Sequence, residues 1–96
     1  MTLTEFKTSI KNPYPPHVPV LLQSLWHDAR GDWDKAHNLA QDVNTQDGSW
    51  VHAYLHRKEG DQPNAHYWYA RAKRTMPAYS LEKEWEEIVS EFIERL

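Results

Sequence analysis

The chain has 96 residues, of which 40% are hydrophobic and 26% charged, and a formal net charge of -3. That describes one domain with a single modest core, and a charge balance too mild to point to nucleic acid. Cys is absent, which excludes disulfides, thiolate metal sites and cysteine nucleophiles. There is no apolar run of signal-peptide or membrane-spanning length, so a cytoplasmic protein with no membrane partner is expected.

Residues 1–17 read as an extended, Pro-rich N-terminal arm, and residues 18–96 as a single helical domain. Within the arm, Thr2 and Glu5 have capping-box spacing and Leu3, Phe6 and Ile10 share one helical face, so a short helix can form there. "NPYPPH" then holds the chain extended, because each proline fixes its own φ and restricts the residue before it. From Val18 the period is helical, with Val18, Leu21, Leu22, Leu25, Trp26 and Ala29 on one stripe. Gly31 ends this helix and Asp32 caps the next, where Trp33, Ala36, Ala40 and Val43 recur. "NTQDG", residues 44–48, reads as a loop before a third helix from Trp50 to Glu59. Gly60 and Asp61 repeat the turn. A fourth helix buries Ala65, Trp68, Tyr69, Ala72 and Met76 and stops at Pro77. Ser80 caps a fifth, whose stripe is Leu81, Trp85, Ile88, Phe92 and Leu96. No segment alternates with period two, so no strand is expected.

"LWHDARGDW" and "YLHRKEGDQ" align: His27 with His56, Gly31 with Gly60, Asp32 with Asp61 and Ala36 with Ala65, all 29 residues apart. The chain is therefore expected to be all-α, two antiparallel helical hairpins closed by a C-terminal capping helix. The second hairpin resembles a tetratricopeptide repeat at Ala53, Ala65, Tyr69 and Pro77, and departs from that pattern at Ser49, His52 and His56. The first matches only at Ser24 and Ala36. The whole chain also resembles a family of short uncharacterised bacterial proteins carrying "LWHDARGDWDKAH", "HAYLHRKEGD" and "NAHYWYARA". That likeness covers most of residues 20–95 and implies no particular activity.

Charge is unevenly placed. Residues 49–79 carry a balance of +3 and residues 80–96 a balance of -4, which reads as solvated helix faces attracting each other across the domain rather than as a patch for a partner.

Three groups can carry chemistry. His52 and His56 stand one helical turn apart, as in HExxH zinc sites, but the glutamate of that motif is missing and a third ligand would have to come from elsewhere, with His27 and Asp28 on the preceding hairpin as candidates. An exposed pair, or histidines packed against the neighbouring helix, accounts for them better. No metal, no cofactor and no specific stabilisation by zinc are therefore expected. Tyr67 and Arg71, a turn apart on the fourth helix opposite its apolar stripe, form a pairing common at interfaces, although a surface contact with no partner is the favoured account. If the hairpins stack, His27, Asp28, Arg30, His56 and Arg57 gather at one edge. Such a cluster can bind an anion or do acid–base chemistry, but an ion-pair network holding the hairpins in register is the favoured account.

No catalytic template is present. The reading is a helical protein-interaction module without catalytic activity, binding a protein partner or a second copy of itself near Tyr67 and Arg71 or along the arm. The alternative is a protein, enzymes included, that binds a small molecule, an anion or a metal at the His/Arg/Asp cluster of the turns.

Overall fold

The computed structural model describes residues 1–96. Six helices and no strand form: α1 (Leu3–Ser9), α2 (Val20–Ala29), α3 (Trp33–Gln41), α4 (Gln46–Glu59), α5 (Gln62–Arg71) and α6 (Leu81–Glu94). None is long and apolar enough to cross a membrane.

The two Gly-Asp turns take the form their residues dictate. Gly31 and Gly60 have φ of +83° and +88°, the left-handed region that a Cβ penalises. In each turn the glycine N–H and the following aspartate N–H bond back to the closing helix, Gly31 to Asp28 and Asp32 to His27, Gly60 to Arg57 and Asp61 to His56. This satisfies carbonyls the helix would otherwise leave open. Asp32 and Asp61 then accept from the N–H of Lys35 and Asn64 and start the next helices. In this way α2 is folded onto α3 and α4 onto α5. The α3 helix also packs on α4, and α4 reaches α2 and α6 as well.

Three boundaries differ from expectation, each for a local reason. The third long helix begins at Gln46, not near Trp50, because the Thr45 side chain accepts from the Gly48 N–H at 3.0 Å and caps it. "NTQDG" is thus a cap and a first turn. Gly48 is there for space: a Cβ at this position would lie 2.0 Å from the Val43 carbonyl oxygen. The helix expected to run to Met76 ends at Arg71. Pro77 would clash with the carbonyl four residues back, at Lys73. Lys73 instead adopts φ +57°, and the Arg74 N–H bonds back to the Tyr69 carbonyl. Finally, the segment before the prolines is not extended. Thr2 and Glu5 make both halves of the expected capping box, and Phe6 is fully buried, 5.9 Å from the Trp85 ring. The first helix is part of the core, and the non-helical path is confined to Ile10–Pro19. Two stripe residues, Ala29 and Leu96, are exposed.

Four tryptophans, three buried and Trp33 half-buried, tie elements together through the indole N–H. Trp26 donates to Ser9 O, Trp33 to Leu55 O, Trp85 to Leu25 O and Trp50 to the Glu84 carboxylate, at 2.8–3.3 Å. These bonds join α2 to α1, α3 to α4, α6 to α2 and α4 to α6. Each ring supplies apolar area while its polar edge is satisfied.

Gly48 and Gly60 separate two kinds of glycine. At Gly60 an added Cβ meets nothing within 4 Å, so Gly60→Val should cost only the backbone strain, about 1–2 kcal/mol. Gly48→Ala adds no φ strain but pushes the Val43 backbone, in the connection between α3 and α4, away from α4, and should cost about 1–3 kcal/mol. Thermal unfolding of both variants measures this; an unchanged midpoint for Gly48→Ala would contradict the close approach of Val43.

Candidate functional site

The α4 helix lies at the centre, and every residue from Gly48 to His56 is buried. Its polar side chains must therefore find partners inside the protein. They do so on two sides of the helix.

On one side are two buried carboxylates. Glu84 of α6, 1% exposed, accepts from the Tyr69 hydroxyl at 2.7 Å, the Arg57 guanidinium at 2.8 Å and the Trp50 indole at 3.3 Å. Arg57 also donates to the Tyr79 carbonyl. Asp28 of α2, 2% exposed, accepts from the Tyr54 hydroxyl at 3.0 Å and the Lys58 ammonium at 2.9 Å. Burial, together with these carboxylates, pushes the Tyr54 and Tyr69 hydroxyls well above the ordinary tyrosine range, so both remain protonated donors.

The other side is aromatic and basic. His52 and His56 face α3 and α5 and are buried, which sets aside the exposed-pair reading and agrees with histidines packed on neighbouring helices. They are joined by His37 of α3. His37 Nε2 and His52 Nε2 are 3.0 Å apart, and the His52 and His56 rings stack at 4.8 Å. Trp33 stacks on His37 at 4.8 Å, and Trp68 stacks on His52 at 4.0 Å. His56 Nδ1 bonds the Glu59 carboxylate at 2.6 Å. One ring nitrogen from each of the three histidines lies within 4.8 Å of the other two, the geometry of a group able to hold a metal ion.

Burial first, and then the neighbouring His37 and His56, lowers the His52 pKa to about 4. His37 and His27 are also lowered, again mainly by burial. The unfolded chain, with His52 near 6.5, therefore takes up a proton that the folded chain refuses, and acid favours unfolding. Stability should be level above pH about 6.5 and fall below it, with the first loss before the carboxylates titrate near pH about 4. Urea midpoints measured in a chelating buffer should show this decline, and His52→Gln should flatten it. A midpoint constant down to pH about 5 would contradict the assignment.

The Trp68 ring leads outward to the second candidate. Tyr67 meets it edge-on at 5.1 Å, and the Arg71 guanidinium lies 5.3 Å from the Trp68 ring and 5.8 Å from the Tyr67 ring. Arg71 donates to the Tyr67 hydroxyl at 3.3 Å. Tyr67 is 53% exposed. Arg71 and Lys73 also line a shallow polar groove with Asn44, Thr45, Gln46 and Ser49.

The turn cluster expected at one edge is not gathered into one pocket. Asp28 pairs with Lys58, Arg57 with Glu84, and His56 with Glu59 and the other histidines. Arg30 donates to the carbonyls of Ile10 and Asn12 and lies over the Trp26 ring; His27 meets that same ring edge-on. Glu84, Tyr69, Lys58, Trp68 and His37 are the contributors that sequence reasoning missed. His37 had a misleading equivalent: the 29-residue offset pairs it with His66, which is exposed, since the helix that α5 packs along is α4.

Comparison with protein-family models, with curated proteins and with solved structures gives no match.

Proposed function

We propose that this chain is a small tetratricopeptide-like interaction module, without catalytic activity of its own, that binds a protein segment on the α5 face where Tyr67, Trp68 and Arg71 meet. The observation that carries this reading is the Tyr67–Arg71–Trp68 platform, exposed at Tyr67, with Tyr67 edge-on to Trp68 and hydrogen-bonded to Arg71. Tyrosine, tryptophan and arginine dominate interface energetics, and a platform held in place loses little rotamer freedom on binding. The adjoining polar groove with Arg71 and Lys73 suits a segment that presents an acidic residue beside an apolar one. Two consecutive helix pairs with matching turns, and small residues buried at Ala53 and Ala65, support the tetratricopeptide likeness. Fold likeness by itself assigns no partner. The alternative, a ligand site at the turns, has less support, because Asp28, Arg30 and Arg57 are each engaged by internal partners.

A photo-reactive residue placed at Tyr67 in the full chain, in cells that make the protein, should give a discrete crosslinked species. The same residue at Tyr14, an exposed tyrosine on the N-terminal segment, should not. A product at twice the chain mass would identify a second copy as the partner. Equal yields from both positions would contradict the proposal.

A further inference from the structure

The His37–His52–His56 cluster poses a physical problem that neither packing nor docking explains. Three imidazoles from two helices are in mutual contact. Buried histidines are ordinarily separated, because two protonated rings repel and neutral rings must find both a donor and an acceptor. Here one direct bond, His37 to His52, serves two of them. The third has its Nδ1 held by Glu59, which leaves Nε2 as its remaining donor.

From these residues we infer that His37, His52 and His56 form a three-nitrogen site for a borderline divalent transition-metal ion, of which zinc is the probe of choice. This goes beyond docking at Tyr67 and stands independently of it. Four features of the cluster suit a metal. The donors are three histidines with no thiolate, a set used for zinc and its neighbours when a fourth position is left to water. Tetrahedral zinc with bonds of about 2.0–2.1 Å needs nitrogens about 3.4 Å apart. The 3.0 Å between His37 and His52 is already close to that, and the third nitrogen lies within 4.8 Å. Glu59 on His56 Nδ1 is the carboxylate partner that fixes a ligating histidine's tautomer and raises its basicity. Trp33 and Trp68, stacked on His37 and His52, hold those rings in orientation and form an apolar wall.

The spacing on α4 supplies two of these donors and α3 the third, so the ion would bridge the two helix pairs at their α3–α4 contact. That is the junction at which a short helical array needs added stability, and a ligand that binds only the folded chain provides it.

The test uses the full chain freed of metal by a chelator and dialysis. One equivalent of Zn2+ should raise the melting midpoint by several degrees. Co2+ should produce an intense visible band of low coordination number rather than the weak band of the hydrated ion. Glu59→Gln should weaken Zn2+ binding by about 10–100-fold, and His37→Gln by more. His37 is only half-buried, so His37→Gln keeps the test valid even if His52→Ala unfolds the protein; circular dichroism of the metal-free variants checks this. A control with exposed His17 and His66 both changed to Gln should bind as the unaltered chain does. Absence of the Co2+ band, binding indifferent to His37→Gln, or binding lost in the His17/His66 control would each overturn the site.

Discussion

Glu84→Ala is expected to be among the most damaging single substitutions, costing about 3–5 kcal/mol. Removing the carboxylate leaves the Arg57 guanidinium, the Tyr69 hydroxyl and the Trp50 indole N–H without their acceptor in a region where Glu84 itself is 1% exposed. The Arg57 charge, largely buried and left with only the Tyr79 carbonyl, is the largest of these losses, and each orphaned hydroxyl or N–H adds about 1–3 kcal/mol in unfavourable cases. A domain of this kind has about 5–15 kcal/mol in total, so the variant should sit near the edge of folding. Changing both partners, Glu84→Leu with Arg57→Met, should recover much of the loss, because the cost lies mainly in the uncompensated charge. Chemical denaturation of the two single variants and the double variant measures this coupling. Additive losses would show that Glu84 and Arg57 do not act as a pair.

Trp85→Ala should cost about 3–5 kcal/mol for a different reason. Its ring closes the junction of α1, α2 and α6, lying 5.9 Å from Phe6 and donating to Leu25 O at 3.0 Å. The cavity would be lined by side chains from three helices, and none can collapse into it without moving its own helix. Salt should matter far less. Lys7–Glu86, Arg95–Glu91 and Arg95–Asp47 are exposed to water, and pairs of that kind contribute about 0–1 kcal/mol each. Thermal midpoints of the unaltered chain in low and high salt should differ by far less than the Trp85→Ala shift. A salt effect of similar size would mean that charge, not the apolar stripe, docks α6.

The turns and stripes were legible because they depend on short-range chemistry. A glycine before an aspartate specifies a left-handed residue and the next cap whatever the rest of the chain does, and both Gly31 and Gly60 follow that rule. Glu84 was less legible. The acidic run from Glu82 to Glu94 looks like a solvated face, and only the offset from Leu81, Trp85 and Ile88 places Glu84 on the buried side. The partners that make its burial tolerable, Arg57 and Tyr69, lie on α4 and α5 and are visible only after folding. His37 was hidden in the same way. Its own helix has an adequate apolar stripe in Trp33, Ala36 and Ala40, and the reason for His37 to turn inward is the pair of histidines on α4. The end of α5 depended on a proline acting one turn upstream at Lys73. That effect can be read from sequence, but the stopping point expected there was Pro77 itself.

The side of α4 that faces Asp28 and Glu84 holds the fold together, whereas the Tyr67–Arg71 platform, in the proposal, belongs to a partner. The thermal midpoint of the double variant Tyr67→Ala, Arg71→Ala separates the two roles. Both side chains are exposed and bond chiefly to each other, so removing them together should alter stability by no more than about 0.5 kcal/mol. A midpoint equal to that of the unaltered chain, within a degree or two, is the predicted result. A fall of the size expected for Trp85→Ala would show that the platform is part of the packing and would contradict its assignment as a binding surface.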